Sequence, residues 1–212
     1  MKKILVAAMA VLMALPATGR SMRDLLASES GRVFATLPVA TRLDMIDYFD
    51  AGRTPALETV TGGSATLTAL EPAYARVELE GAGNIQLRMM AHGRDTVIAV
   101  VETVALPVAD SRLTFYDTQW RPLETKRHIK PEPTLDRMIE RGVSRAERDS
   151  VMRAVVFPVA EMTFEGDELL VTPRLAEFHA ADEPVAALMR RVLRPLRYRI
   201  SGTRLVSSFR PS

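Results

Sequence analysis

From Thr54 onward the apolar residues recur with a period of two, and that single feature decides most of what the chain can become. Ala75, Val77 and Leu79 alternate with Arg76, Glu78 and Glu80, and Ile85, Leu87 and Met89 alternate with Gln86, Arg88 and Met90. Successive side chains of a strand point to opposite faces, so these runs predict strands with one dry face and one wet face. Thr96 to Leu106 is apolar almost throughout, the pattern of a central strand covered on both sides, and Leu113 and Phe115 resume the alternation. The runs are broken at Gly62-Gly63, Glu71-Pro72, Gly81-Ala82-Gly83-Asn84 and His92-Gly93-Arg94-Asp95. Turn residues at such short, regular intervals predict an antiparallel meander.

Helical signals lie on either side. Ser21 with Asp24 three residues on opens a short helix, and Thr41 with Asp44 opens a second that carries Leu43, Ile46 and Phe49 and stops at Gly52. After the meander, Thr134 precedes Leu135, Met138 and Ile139, and Ser144 with Glu147 forms a capping box ahead of Val151, Met152 and Val155. Strands are expected at Glu161–Phe164 and Glu168–Thr172. Asp182 then caps a helix whose Val185, Leu188, Met189, Val192 and Leu193 keep helical spacing, with Pro195 ending it. Leu196–Ile200 and Arg204–Ser207 make a last hairpin around Ser201-Gly202-Thr203. Segregated helices and strands indicate an α+β fold, mostly an antiparallel β meander with helices at the start of each of two lobes. The expected division is a signal peptide over 1–19, an N-terminal lobe over 20–125, a linker over 126–133 marked by Pro131 and Pro133, and a C-terminal lobe over 134–212.

The N-terminus reads as an address. Lys2 and Lys3 precede an unbroken apolar run from Ile4 to Leu15, followed by Pro16 and the small residues Ala17-Thr18-Gly19. That is a secretory signal with cleavage expected near Gly19. The run is too short for a membrane anchor, which needs about 20 apolar residues, and no later stretch is long enough to span a bilayer. An exported protein, in the periplasm or outside the cell, is therefore expected. Composition narrows the chemistry further. The 212 residues are 47% hydrophobic and 25% charged, with no cysteine. Thiolate nucleophiles, cysteine-held metals and clusters, and a lipoprotein anchor are thereby excluded.

The formal charge of +2 disappears on cleavage, because residues 1–19 carry Lys2 and Lys3 and no acid, leaving 26 basic against 26 acidic residues. Nucleic-acid binding has no electrostatic basis. The distribution is uneven, however. No acid follows Glu183, while Arg190, Arg191, Arg194, Arg197, Arg199, Arg204 and Arg210 do. A basic tail on an acidic body packs against that body or offers an anion-binding surface to a protein or an anionic envelope component. Arg190, Arg191 and Arg194 on the last helix, with Arg197, Tyr198 and Arg199 on the strand after it, form the most specific candidate binding patch.

Three stretches carry a resemblance. RLDMIDYFDAG (Arg42–Gly52), VVETVALPVADSRLTFYDTQWRPL (Val100–Leu123) and LRYRISG (Leu196–Gly202) resemble a Bacteroidales-restricted family of small secreted proteins catalogued only as a domain of unknown function. The resemblance implies a periplasmic or secreted setting in a gut- or mouth-type bacterium. It implies no activity and assigns no catalytic residue.

Other constellations are weak. Asp44, Asp47 and Asp50 drift slowly around one helix edge, and such like charges are usually solvated. His92, His128 and His179 are far apart and show no metal-ligand spacing. There is no nucleophile elbow and no P-loop, and Gly81-Ala82-Gly83 reads as a hairpin because a strand follows it. Tyr116 and Trp120 flank a turn that suits a sugar or peptide platform, though a lone tryptophan is more often a packing anchor. No catalytic residue, metal site or cofactor is assigned. The expected function is a non-catalytic binding or interaction module. The alternative is an envelope or secreted hydrolase acting on glycans or peptides through carboxylates dispersed in the sequence.

Overall fold

The meander folds as the alternation predicts. β1 (Leu57–Glu58), β2 (Ser64–Glu71), β3 (Tyr74–Leu79), β4 (Gly83–His92), β5 (Asp95–Val104), β6 (Asp110–Tyr116) and β7 (Pro122–Leu123) form one seven-stranded antiparallel sheet in sequence order. The structure, a computed structural model, describes residues 20–208; the expected signal segment 1–19 lies outside them. Register sorts the side chains by face. Leu87 opposes Val100 and Met89 opposes Ile98 on one side, while Gln86 opposes Val101 and Met90 opposes Val97 on the other. β5 is the covered central strand, with Ile98, Ala99, Val100 and Val101 all inaccessible to solvent. Gly83 is required where it stands, because a Cβ there would fall 1.8 Å from the Thr103 carbonyl oxygen.

Two helices cover the first face. α1 (Met22–Ala27) starts from the expected Ser21–Asp24 capping box and buries Met22, Leu25 and Leu26. α2 (Val39–Asp50) starts two residues before the predicted Thr41, directly after Pro38, and ends where Gly52 supplies a φ of +68°. Its inner face also differs. Leu43 is 44% exposed, and Arg42 is buried beside Met45 and Ile46. The reason is a set of three carbonyl acceptors. The Arg42 guanidinium donates to Leu37 O at 3.0 Å, to Ser28 O at 2.8 Å and to Leu26 O, and it lies over the Phe34 ring at 4.9 Å. These helices, Val33, Phe34 and Leu37 from the connection between them, and Trp120 close an apolar core on Leu67, Val77, Leu87, Ile98 and Val100.

The rest of the chain covers part of the opposite face. It comprises α3 (Thr125–His128), β8 (Ile129–Lys130), α4 (Leu135–Met138), α5 (Arg145–Ala154), β9 (Ala160–Glu165), β10 (Glu168–Pro173), α6 (Leu175–Phe178), α7 (Glu183–Val192), β11 (Leu196–Ser201) and β12 (Arg204–Ser207). The strands form a five-stranded sheet in the order β8-β12-β11-β10-β9, antiparallel except for the parallel β8–β12 pair. The fold is thus mixed α+β with two open sheets. Of the stretch 126–133 expected to link two lobes, residues 126–128 lie in α3 and 129–130 in β8, where Ile129 is buried. A second core runs between the sheets. Met90, Val97, Ala99, Val101 and Phe115 meet Phe164, Leu169, Val171, Tyr198 and Leu205, with Val151, Met189 and Val192 supplied by α5 and α7.

A polar seam accompanies this core. β9 is the edge of the small sheet, and its outward amides are taken by side chains of the large one. Ala160 N donates to Asp110 Oδ1 at 3.1 Å, Met162 N to Ser111 Oγ at 2.9 Å and Phe164 N to Gln86 Oε1 at 3.0 Å. Gln86 is 1% exposed and also donates to Asn84 Oδ1 at 3.0 Å and Met162 O at 3.3 Å.

Candidate functional site

The candidate arginines sit on two different surfaces. Arg190, Arg191 and Arg194 cluster at the C-terminal end of α7, while Arg197 and Arg199 lie on the outer face of the small sheet. Most are engaged by acids of the body. Arg190 grips Glu183 through both carboxylate oxygens at 2.9 and 3.1 Å, Arg191 meets Glu147 at 2.5 Å, and Arg194 meets Glu140 at 2.6 Å. Arg197 is shared between Glu165 and Glu168 at 3.3 Å each. Arg199 makes no ion pair among the described residues. Tyr198 points away from both strand arginines, as alternation requires, and is completely buried in the second core, so it takes no part in an exposed patch. The local electrostatics follow from these pairs. Hydrogen bonds from Ser144, then Arg191, hold the Glu147 carboxyl down to about 2. Arg190 lowers Glu183.

Arg194 also lines a cleft of about 420 Å³ between residues 136–141 and 194–196. Two backbone bonds fix its walls together, Arg194 N to Met138 O at 2.7 Å and Glu140 N to Val192 O at 2.8 Å. Met138, Ile139 and Leu196 give it an apolar floor, and all three are nearly inaccessible. Around it stand Arg137, Arg141, Arg148 and Arg194, against Asp136 and Glu140. Arg148 pairs with Asp136 and Arg194 with Glu140. Arg137 makes a 3.5 Å hydrogen bond to Ser207 Oγ and no ion pair among the described residues. Beside it is Tyr198, across β11–β12 from Ser207, with its hydroxyl buried next to the Arg137 guanidinium. Burial raises the Tyr198 phenol and the Arg137 charge opposes that rise. Arg137, Arg141 and Arg148 were missing from the expected patch because they lie more than forty residues before Arg194 in the chain. Their recurrence at steps of four and seven residues, one and two helical turns, is the available signal.

The remaining candidates find ordinary places. Asp44, Asp47 and Asp50 are exposed, and Asp50 pairs with Arg23 at 2.5 Å. Trp120 is an anchor; its Nε1 donates to Ser28 Oγ at 2.9 Å, and its ring meets Phe34 and Tyr116 edge-on. His128 packs on Phe115 with Nδ1 2.9 Å from Thr203 O. Among the described residues no cluster of three metal-ligating side chains occurs, and no helix is long and apolar enough to cross a membrane. The one carboxyl raised above its usual range among them is Glu102, pushed up by burial and opposed by Arg112.

A second surface is apolar. Loops 105–109 and 155–159 leave the same end of the β6–β9 seam, where Asp110 holds the Ala160 amide. They turn Val108, Val155 and Val159 inward to the second core, yet leave Leu106, Val156 and Phe157 at 70%, 78% and 72% exposure.

The chain can now be set beside known proteins. The family described as "Protein of unknown function (DUF3256)" matches residues 17–204, nearly all of the sequence. The chain belongs to this family. The resemblance read from Arg42–Gly52, Val100–Leu123 and Leu196–Gly202 is therefore borne out. A solved structure of a domain of an uncharacterized protein from Porphyromonas gingivalis W83, a Bacteroidales species, superposes with a TM-score of 0.72 at 26% identity, over 87% of this chain and 96% of that one. No curated protein matches. This membership fixes the fold and leaves the activity open.

Proposed function

We propose that this member of the family is an exported, non-catalytic interaction module of the bacterial envelope, and that it docks a partner protein through the end of the molecule formed by loops 105–109 and 155–159. The exposed Leu106, Val156 and Phe157 carry the proposal. Each loop already contributes apolar residues to the core, so folding had the means to bury these three as well. Three large apolar side chains at one end, exposed well beyond the usual scatter, mark a contact surface. Export rests on Lys2-Lys3, the Ile4–Leu15 run and the small residues ending at Gly19. The hydrolase alternative draws no support from the carboxylates. Glycan hydrolysis needs two carboxyl groups about 5–10 Å apart with pKa values driven apart, whereas Glu102 has only Arg112 acting on its charge, and Asp136 and Glu140 in the cleft are each engaged by an arginine.

The test is crosslinking and capture of the tagged full chain at native expression in its host's envelope. Val156→Ser combined with Phe157→Ser serves as the comparison. One reproducible protein retained by the parent and lost from the variant, at equal melting temperature, is the expected result. Capture that survives the double substitution, or none at confirmed expression, overturns the docking surface.

A further inference from the structure

Beyond that docking end, we infer that the outer face of the small sheet binds an acidic glycan, a polysaccharide whose carboxylates or sulfates recur along its chain. The face is open and its charges are sorted by strand. On β8, β12 and β11 it presents Lys130, Arg204, Arg197 and Arg199 and no acid. On β9 and β10 it presents Glu161, Glu165 and Glu168 and no base. Register fixes the neighbours. Ile129 and Leu205 form a buried pair, so the next pair, Lys130 and Val206, turns outward, and Arg199 opposes Val206 from the other side. Arg204, two residues before Val206, shares its face.

The acids of the other half leave this cluster uncompensated. Arg197 holds Glu165 and Glu168, and Arg174 holds Glu161. Glu132 follows Pro131 outside β8 and pairs with none of the basic residues. Lys130, Arg199 and Arg204 are exposed and make no ion pair among the described residues. Three cations gathered around one valine repel one another, and an anionic ligand relieves that repulsion.

Spacing sets the kind of anion. Lys130 and Arg199 are separated by one intervening strand, so their backbones lie about 10 Å apart. A chain with recurring acidic groups meets such a row one charge at a time, whereas a single small oxyanion satisfies one member of it. The guanidinium fork matches a carboxylate or sulfate through two parallel bonds. Beside the row lies a groove of about 550 Å³ lined by Arg199, Ser201, Val206 and Ser208, with room for a sugar ring and with hydroxyls to meet its own. Val206 is the one large apolar side chain on this half of the face, too little to insert into lipid.

Titration of the ¹⁵N-labelled protein, residues 20–212, with polygalacturonate, dextran sulfate, neutral dextran, polyglutamate and phosphatidylglycerol vesicles tests this. Polygalacturonate or dextran sulfate should shift the amides of residues 130 and 199–206, with an affinity that falls as salt rises. Those two probes distinguish a carboxylate source from a sulfate source. Neutral dextran, polyglutamate and the vesicles should bind about tenfold more weakly or not at all. Arg199→Gln combined with Arg204→Gln should weaken glycan binding about tenfold or more, at an unchanged melting temperature, since neither residue has an ion pair to lose. Arg190→Gln, on α7, should leave affinity unaltered. Should the double variant melt early, Lys130→Gln replaces it with the same direction of effect. Silence from both acidic polysaccharides, shifts confined to another surface, neutral dextran binding equally, or equal affinity in the variants overturns the site. Polyglutamate binding as tightly as the better polysaccharide gives the face to an acidic protein instead, and vesicles doing so give it to a membrane; either result overturns the glycan.

Discussion

The two faces of the large sheet are covered by different means. On the helix side, α1, α2 and their connection lay an almost wholly apolar layer on β2–β5, and the one buried cation, Arg42, ties three backbone carbonyls of that layer to one another. On the other side, an apolar core on β5 and β6 gives way to a row of polar groups, Gln86, Asp110 and Ser111, that satisfy the edge of a second sheet. The helix layer is local in sequence and its polar element works inside it. The second layer meets the seam from 50 to 78 residues away, and its polar groups work across the joint, where they set alignment as well as adhesion. An apolar contact alone tolerates sliding; three directed hydrogen bonds do not.

Arg42→Leu is the strongest way to break that comparison. It keeps apolar bulk but strands the Leu26, Ser28 and Leu37 carbonyls, and should cost on the order of 3 kcal/mol, a fall of roughly 6–12 °C in Tm by calorimetry. A fall of a degree or two would mean that water replaces the guanidinium and that the helix layer is held by apolar burial alone. Gln86→Leu attacks the other joint. It leaves the Phe164 amide without its acceptor and should cost about 2 kcal/mol, with faster hydrogen exchange at Phe164 and Met162 while the α1 and α2 amides stay protected. If both layers loosen together, the two faces are one cooperative unit and the distinction fails.

Smaller effects are expected at the surface. Arg190→Gln, Arg191→Gln and Arg194→Gln together break three exposed ion pairs, which water and salt screen. The melting temperature, read by calorimetry, should therefore change little. The smallest effect concerns the Ser144–Glu147 cap of α5. Folding depresses the Glu147 carboxyl to about 2 from a usual 4.5, so the unfolded chain binds that proton more readily than the folded one. Its contribution is complete above about pH 4.5 and is lost as pH falls toward 2. Carbon-detected titration of Glu147 should show a midpoint near the lower value, and Ser144→Ala should move it upward.

Much of this architecture was legible in the chain. Strand faces in β3 and β5 follow from Ala75-Val77-Leu79 and the Thr96–Leu106 run, and the capping boxes at Ser21 and Ser144 and the Asp182 cap stand where their residues predict. What escaped are partners distant in sequence. Gln86 alternates like a wet-face residue, and only the arrival of β9 buries it. Arg42 reads as solvated until three carbonyls converge on it, which in turn explains why α2 begins at Val39 and turns Leu43 outward. The two-residue β8 has no local signature; its parallel pairing with β12 requires residues 129 and 205 to meet. An arginine-rich tail on an acidic body allows pairing with that body, as Arg190, Arg191, Arg194 and Arg197 do, but composition cannot say that Arg194 would share a cleft with Arg137 and Arg148.

The side-chain caps on β9 have a consequence for how the molecule behaves in a crowd. An uncovered edge strand is a template for a neighbouring chain, and self-association by strand addition is the common failure of open sheets. Here the amides of Ala160, Met162 and Phe164 are already engaged by Asp110, Ser111 and Gln86. Loss of those caps would release a row of donors able to recruit a second copy, so a variant weakened at this seam should become sticky before it becomes unfolded.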